Sequence, residues 1–202
     1  MAKTTHVRIG HCSPDAPAVD VWIDGSRTIE GVAFGDVTEY AGMESGSHGI
    51  AVTPAGGTAD EAVIEATLEF DDDEWYTVCA VGTLSEIEAM VLTDESGAVP
   101  SGKTHLRFVH CSPDAPAVDV AVADGPILFE DVAFGKWDGY SPVDAGSYDV
   151  EVRIAGGEDV ALELPTVKLS GGRAATVFAM GRVEDDSLTA VTTLDGEAMA
   201  PA

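Results

Sequence analysis

His11-Cys12-Ser13-Pro14-Asp15-Ala16-Pro17-Ala18-Val19-Asp20-Val21 returns letter for letter as His110 through Val120, 99 positions later. Chance does not produce an identical run of that length, and self-similarity at one fixed offset marks an internal repeat. The match spreads outward on both sides. His6-Val7-Arg8-Ile9 answers His105-Leu106-Arg107-Phe108, and Asp24-Gly25 answers Asp124-Gly125 after a one-residue insertion. Val32-Ala33-Phe34-Gly35, Tyr40 and Ala55-Gly56-Gly57 recur as Val132-Ala133-Phe134-Gly135, Tyr140 and Ala155-Gly156-Gly157, and Thr77-Val78-Cys79-Ala80 falls opposite Thr176-Val177-Phe178-Ala179. A period near 100 residues is too long for a solenoid and fits a whole domain duplicated once. Two domains are therefore expected, 1–96 and 104–202, joined by a short linker at 97–103.

Around the repeated run the chain reads as strands. Val7, Ile9 and His11 share one face of an extended segment, as do Leu106, Phe108 and His110. Val19, Val21 and Ile23 alternate with Asp20, Trp22 and Asp24, and Val118, Val120 and Val122 repeat the pattern, so the valine face is the buried one. Asp24-Gly25 and Asp124-Gly125 are hairpin signals. Further β runs stand at 49–53, 61–69, 75–81 and 89–93, and at 148–154, 160–164, 174–180 and 188–193, with Glu61–Ala66 open to reading as a short helical turn. Six or seven strands per copy, punctuated by Gly, Pro, Asp and Ser, predict an all-β fold. The expected architecture is two tandem Greek-key, immunoglobulin-like β-sandwich domains.

The charge balance bounds the partners. Thirty-six acidic residues against 10 basic ones give a net charge of −26, spread over both halves, and only Lys3, Lys103, Lys136 and Lys168 are lysines. Such a surface repels itself in dilute buffer. In ~1 M salt the screening length falls to about 3 Å and the repulsion fades, so the composition reads as adaptation to high salt with hydrated salt cations as its loose partners. No basic stripe offers itself to phosphates, so nucleic acid is not expected as a partner. Nothing approaches the ~20 apolar residues of a membrane span, and the first residues lack an apolar leader core. Membrane insertion is not expected. Location reads as cytoplasmic by default, with the cell surface or exterior open if a leader has been removed.

His-Cys-Ser-Pro-Asp holds the residue types of a metal site or a nucleophilic triad, but its spacing opposes both. His11 and Cys12 are strand neighbours whose side chains leave on opposite faces. His11 reads as a buried, hydrogen-bonded histidine with Asp15 or Asp20 as partner, and Ser13-Pro14-Asp15-Ala16-Pro17 as turn chemistry. The sharper alternative keeps His11, Asp15 and Asp20, with His110, Asp114 and Asp119, as one metal or small-ligand site per domain. There is no Gly-x-Ser-x-Gly elbow, P-loop, dinucleotide fingerprint or His-Glu-x-x-His, so neither catalysis nor a cofactor is expected. Cys79 exchanges with Phe178 and reads as a core hydrophobe. Reduced thiols are the default for Cys12, Cys79 and Cys111, with Cys12–Cys79 and Cys12–Cys111 bonds as alternatives. Asp71-Asp72-Asp73-Glu74 lacks the spacing of a calcium loop and reads as a solvated turn. Trp22 faces away from the valine stripe, where the second copy has Ala121, and is either an interaction residue or a rim residue under a loop.

The repeated motif, followed by a hydrophobic strand and an Asp-Gly turn, resembles the domain-of-unknown-function family 4397, met in bacteria and abundantly in halophilic archaea, often in tandem. That family's usual pattern is His-x-Ser-Pro-Asp-Ala-Pro-x-Val-Asp-Val-Tyr-Val-Asp-Gly. Both copies match its first eleven positions, with Trp22 and Ala121 where tyrosine is usual. The resemblance covers essentially the whole chain and implies a β-sandwich, frequent association with cell-surface or secreted proteins, and no established activity. The function expected is that of a non-enzymatic structural or protein-interaction module, partnered by another protein or by itself.

Overall fold

In the computed structural model the described residues are 3–196. Residues 1–2 and 197–202, which are the outer ends of the two expected domain ranges and the start of the segment read for a leader, lie outside them. The chain forms two compact units that divide between Asp94 and Glu95.

The first unit holds β1 (Thr4–His11), β2 (Val19–Ile23), β3 (Ser26–Val32), β4 (Ala41–Glu44), β5 (Gly46–Pro54), β6 (Ile64–Phe70), β7 (Trp75–Val81) and β8 (Glu88–Asp94). Two four-stranded sheets result, in the orders β4-β1-β7-β8 and β3-β2-β5-β6. All neighbours run antiparallel except β1 and β7, which pair in parallel from His6–Trp75 to His11–Ala80. The second unit repeats the plan with β9 (Lys103–His110), β10 (Val118–Val122), β11 (Ile127–Val132), β12 (Ser141–Asp144), β13 (Gly146–Ile154), β14 (Val160–Leu169), β15 (Arg173–Met180) and β16 (Thr189–Asp195). Each domain is thus a sandwich-like pair of sheets, and the fold is all-β.

Eight strands per domain exceed the six or seven expected. The extra ones, β3 with β4 and β11 with β12, are sheet edges that turn few apolar residues inward, so their sequences lack a strong alternation. Residues 61–63 are not strand: a 3-10 turn at Ala59–Glu61 precedes β6.

The cores follow from the alternation. Val7, Ile9, Tyr76 and Val78 of one sheet meet Val19, Val21, Ile50 and Val52 of the other, and Leu106, Phe108 and Val177 meet Val118, Val120 and Val152 in the second domain. Asp24 and Gly25 both take positive φ (50° and 76°) in the two-residue turn between β2 and β3, as a twisted hairpin demands. The second copy spreads the same connection over residues 123–126.

Segment 33–40 runs antiparallel along the edge of β1 that β4 also occupies, bridging Gly10 through Val37, with Ile9 and Thr38 exchanging hydrogen bonds. Its Val37 and Tyr40 side chains reach the face of the sheet that points away from the sandwich core, where Arg8 and Cys79 are buried.

Candidate functional site

The repeated motif is the connection from β1 to β2, the step from one sheet to the other. His11 is fully buried where β1 ends. Its Nε2 donates to the Pro17 carbonyl at 2.9 Å, and its Nδ1 accepts the Ser13 amide at 3.3 Å. Those partners require the neutral Nε2–H tautomer and use both ring nitrogens. His110 makes the same pair of bonds, to Pro116 at 3.1 Å and from Ser112 at 3.3 Å. Burial pushes its pKa below the usual histidine range, against the pull of the Pro116 carbonyl. The expected carboxylate partners, Asp15 or Asp20, are not the ones used. Main-chain groups within six residues reach the ring first, and such atoms carry no mark in a sequence. Ser112 reaches the Asp114 carboxylate at 3.4 Å, whereas the Ser13 hydroxyl is buried with no hydrogen-bond partner.

The motif's acids turn elsewhere, also to main chain. Asp15 accepts the Leu84 amide at 2.7 Å, while Asp114 accepts those of Val183 and Glu184 at 2.9 and 3.0 Å. Each aspartate ties the β1–β2 connection, or its β9–β10 equivalent, to the loop after the parallel strand. Burial works to raise the Asp114 pKa, but the amide donors and the nearby Arg182 bring it down overall.

Asp20 and Asp119 are buried and satisfy backbone irregularities. Asp20 accepts Gly31 N at 2.8 Å, Gly56 N at 2.9 Å and Arg27 Nη1 at 3.2 Å. Asp119 accepts Asp131 N at 2.8 Å and Gly156 N at 3.0 Å. Gly31 and Asp131, with φ of 68° and 53°, sit where the β2–β3 and β10–β11 registers slip. A bulge leaves an amide outside the ladder, and the aspartate supplies its acceptor. The Gly56 and Gly31 amides hold the Asp20 carboxyl below its ordinary range, as the Asp131 and Gly156 amides do for Asp119. The six candidate ligands thus do not converge, and no group of three or more His, Cys, Asp or Glu among the described residues is placed to hold a metal ion.

A second duplicated constellation lies on the face of the β1 sheet that points away from the core, and on the matching face of its copy. Arg8, 1% exposed, donates Nε–H to Thr77 Oγ1 at 2.8 Å, and Thr77 and Tyr40 donate to Asp94 Oδ2 at 2.5 and 2.7 Å. The guanidinium lies 3.9 Å from that carboxylate and 4.5 Å from the Tyr40 ring centre. Arg107, Thr176, Asp195 and Tyr140 reproduce it, with bonds of 3.0, 2.6 and 2.8 Å and a ring distance of 4.6 Å. Sequence reading passed over it. The available signal was an arginine retained at Arg8 and Arg107, mid-strand among apolar residues, in a chain with few bases.

The family model described as Domain of unknown function (DUF4397) matches residues 5–121 and 113–202. The chain belongs to the DUF4397 family. No curated protein compared with it matches. Among solved structures it is similar to one titled "The Bacillus anthracis TIE protein", with 11% identity, 90% of this chain and 34% of that one covered, and a TM-score of 0.28. A leucine-rich repeat protein from Bacteroides thetaiotaomicron VPI-5482 shows 11% identity, coverage of 90% and 26%, and a TM-score of 0.24. The chain spans about a third of the first structure's length and a quarter of the second's. At these values neither speaks to function.

Outside the framework shared by the two DUF4397 domains, the faces diverge at Trp22. Its indole N–H donates to Thr53 Oγ1 at 3.1 Å, and the Arg27 guanidinium lies 5.6 Å from the ring centre. The half-buried ring borders a shallow depression of about 410 Å³ with Gly49, Ala51 and Thr67 among its lining residues. Ala121 at the matching place is fully buried, and Glu151 and Arg153 beside it pair at 2.6 Å. Asp71–Glu74 forms a turn, with Lys3 3.4 Å from Asp72. No described helix is long and apolar enough to cross a membrane.

Proposed function

We propose that this chain is a non-enzymatic interaction module adapted to high salt, in which the repeated motif is a folding clamp and the outer surfaces do the binding. One observation carries the reading. In both domains the motif's histidine and aspartates all take main-chain partners, with Arg27 and Ser112 adding side-chain donors to Asp20 and Asp114. A ligand or substrate would have to displace those contacts and leave buried amides unsatisfied, at about 1–3 kcal/mol each. The surfaces differ instead. Trp22 borders a depression in the first domain only, and the second exposes Ile127, Val160 and Leu194 on the edge strands β11, β14 and β16. Open edges and apolar patches are where β proteins pair with partners or copies.

With a net charge of −26, like copies repel in dilute buffer and approach once salt screens them. Light scattering of the full chain from low to multimolar KCl tests this. Mass should rise above the monomer only at high salt, with Trp22→Ala or Val160→Glu reducing the rise. A monomer throughout would overturn self-association and turn the search to a different protein partner. One ion bound per domain, lost in His11→Ala and His110→Ala, would overturn the clamp reading itself.

A further inference from the structure

We propose that Cys12 and Cys79 form a dithiol–disulfide couple confined to the first domain, a covalent modification site that closes the β1–β2 connection onto β7. Both residues are fully buried, on the face of the sheet that points away from the sandwich core. Cys12 follows the last residue of β1 and donates its amide to Ala80 O at 2.9 Å, while Cys79 stands opposite Gly10 in the parallel register. Cys12 lies two residues on from Gly10, so its side chain leaves the strand on the same face as that of Cys79. Glycine at position 10 keeps the space open, since a Cβ there would come within 2.8 Å of Cys79 Sγ. The second domain has filled the same space. Val109 replaces Gly10, Phe178 replaces Cys79 and Trp137 replaces Val37, so Cys111 has no thiol at the matching position. A residue pair able to crosslink thus exists in one copy and is dismantled in the other.

The chemistry is thiol–disulfide exchange with a low-molecular-weight disulfide, RSSR. In a locally opened state that admits RSSR to the buried Cys12, its thiolate attacks one sulfur of RSSR, forming a mixed disulfide and releasing RS⁻, which takes up a proton to become RSH. Cys79, once deprotonated, attacks Cys12 Sγ and expels the second RSH. The protein loses two hydrogens, and RSSR is reduced to two RSH. The contact with Cys12 and burial together push the Cys79 thiol well above its ordinary pKa. Exchange should therefore be slow at neutral pH and quicken as pH rises. The bond would span positions 12 and 79 of a domain ending at Asp94, closing a long loop that the unfolded chain otherwise samples freely.

Oxidised glutathione added to the full chain in molar KCl at about pH 8.5 tests the couple, read by intact mass, peptide mapping and thiol titration in denaturant. The expected result is loss of two hydrogens, a Cys12–Cys79 linked peptide, a fall from three titratable thiols to one, and a higher unfolding midpoint for the first domain alone. Cys12→Ala and Cys79→Ala should each abolish the loss of two hydrogens, and Cys111→Ala should leave it unchanged. Phe178→Cys, with Val109→Gly to clear the space, should confer a second such bond on the second domain. Three thiols persisting after prolonged exposure would overturn the proposal. So would glutathione adducts or intermolecular dimers in place of the internal bond.

Discussion

The Arg8–Thr77–Asp94–Tyr40 network offers the sharpest test of what holds each domain together. Asp94→Asn removes one negative charge while keeping size and an oxygen to which the Thr77 and Tyr40 hydroxyls can donate. The guanidinium beside it is 1% exposed and cannot recover its hydration by rotating outward. Removing one partner of a buried pair costs about 3–5 kcal/mol, against roughly 0–1 kcal/mol for an exposed pair. Domains of this size have only about 5–15 kcal/mol of stability and lose about 4–8 °C per kcal/mol, so the first domain's midpoint should fall by at least ~12 °C. Calorimetry of the full chain in constant molar KCl should show that fall in one transition only. Asp195→Asn should do the same to the other. Salt should not rescue either variant, because screening acts on exposed charge far more than on buried charge. The paired replacement Arg8→Met with Asp94→Leu should cost less than Asp94→Asn alone, since it takes both charges out of the interior. A midpoint change of a few degrees for Asp94→Asn, or a paired variant worse than the single one, would refute a charge-based account.

Three further outcomes follow from the same contacts. Unfolding midpoints of the intact chain should climb steadily between dilute and multimolar KCl, and a flat profile would contradict the high-salt reading of its −26 charge. Two histidines should respond oppositely to pH near neutrality. His48 gains a hydrogen bond to Asp24 at 2.7 Å that raises its pKa, so its contribution is full below the ordinary histidine range and is lost as pH rises through the raised value. Burial lowers the His110 pKa, so its contribution is present above the ordinary range and is lost as pH falls through the depressed value. Calorimetric scans from about pH 5 to 8 should therefore show the cost of His48→Gln to the first transition shrinking as pH rises. Finally, Asp20→Ala and Asp119→Ala should each lower the midpoint of their own domain and raise amide exchange at Gly31 and Gly56, or at Asp131 and Gly156. Exchange left unchanged would mean those amides find other acceptors.

The parts of the fold legible in the sequence are those with a clear apolar pattern. Val19-Asp20-Val21 alternates apolar with polar although all three are buried, and Thr77-Val78-Cys79-Ala80 belongs to a run buried on both faces, with β7 covering the residues expected. β3, with Ser26, Arg27, Thr28 and Glu30, turns almost nothing inward and owes its place to main-chain pairing with β2, which leaves no trace in composition. The same distinction governs the candidate site. That His11 is buried could be read from its face. That its partners are the Pro17 carbonyl and the Ser13 amide could not, because every residue carries a carbonyl and nearly every one an amide. The Arg8 network was hidden for a different reason: its members lie on β1, β7, β8 and the segment before β4, 86 positions apart at the extremes, and only the folded sheet brings them together.

Duplication converts this into an internal comparison. The two domains are copies of one unit, and the contacts both retain are those the clamp reading assigns to folding. The histidine ring on its two main-chain groups, the aspartate on its bulge and the arginine beside its carboxylate recur with hydrogen-bond distances agreeing within a few tenths of an ångström. Where the copies part, space or charge is redistributed with no loss of the sandwich: Trp22 against Ala121, Cys79 against Phe178, His48 against Tyr148. Even there the constraint shows through. His48 Nε2 donates to Glu44 O and Tyr148 Oη to Asp144 O, both at 2.9 Å, so two different side chains close the same turn. His48 also reaches Asp24 at 2.7 Å, and that bond raises its pKa, so the drift that preserved the turn gave the first domain's version of it a pH-sensitive contact.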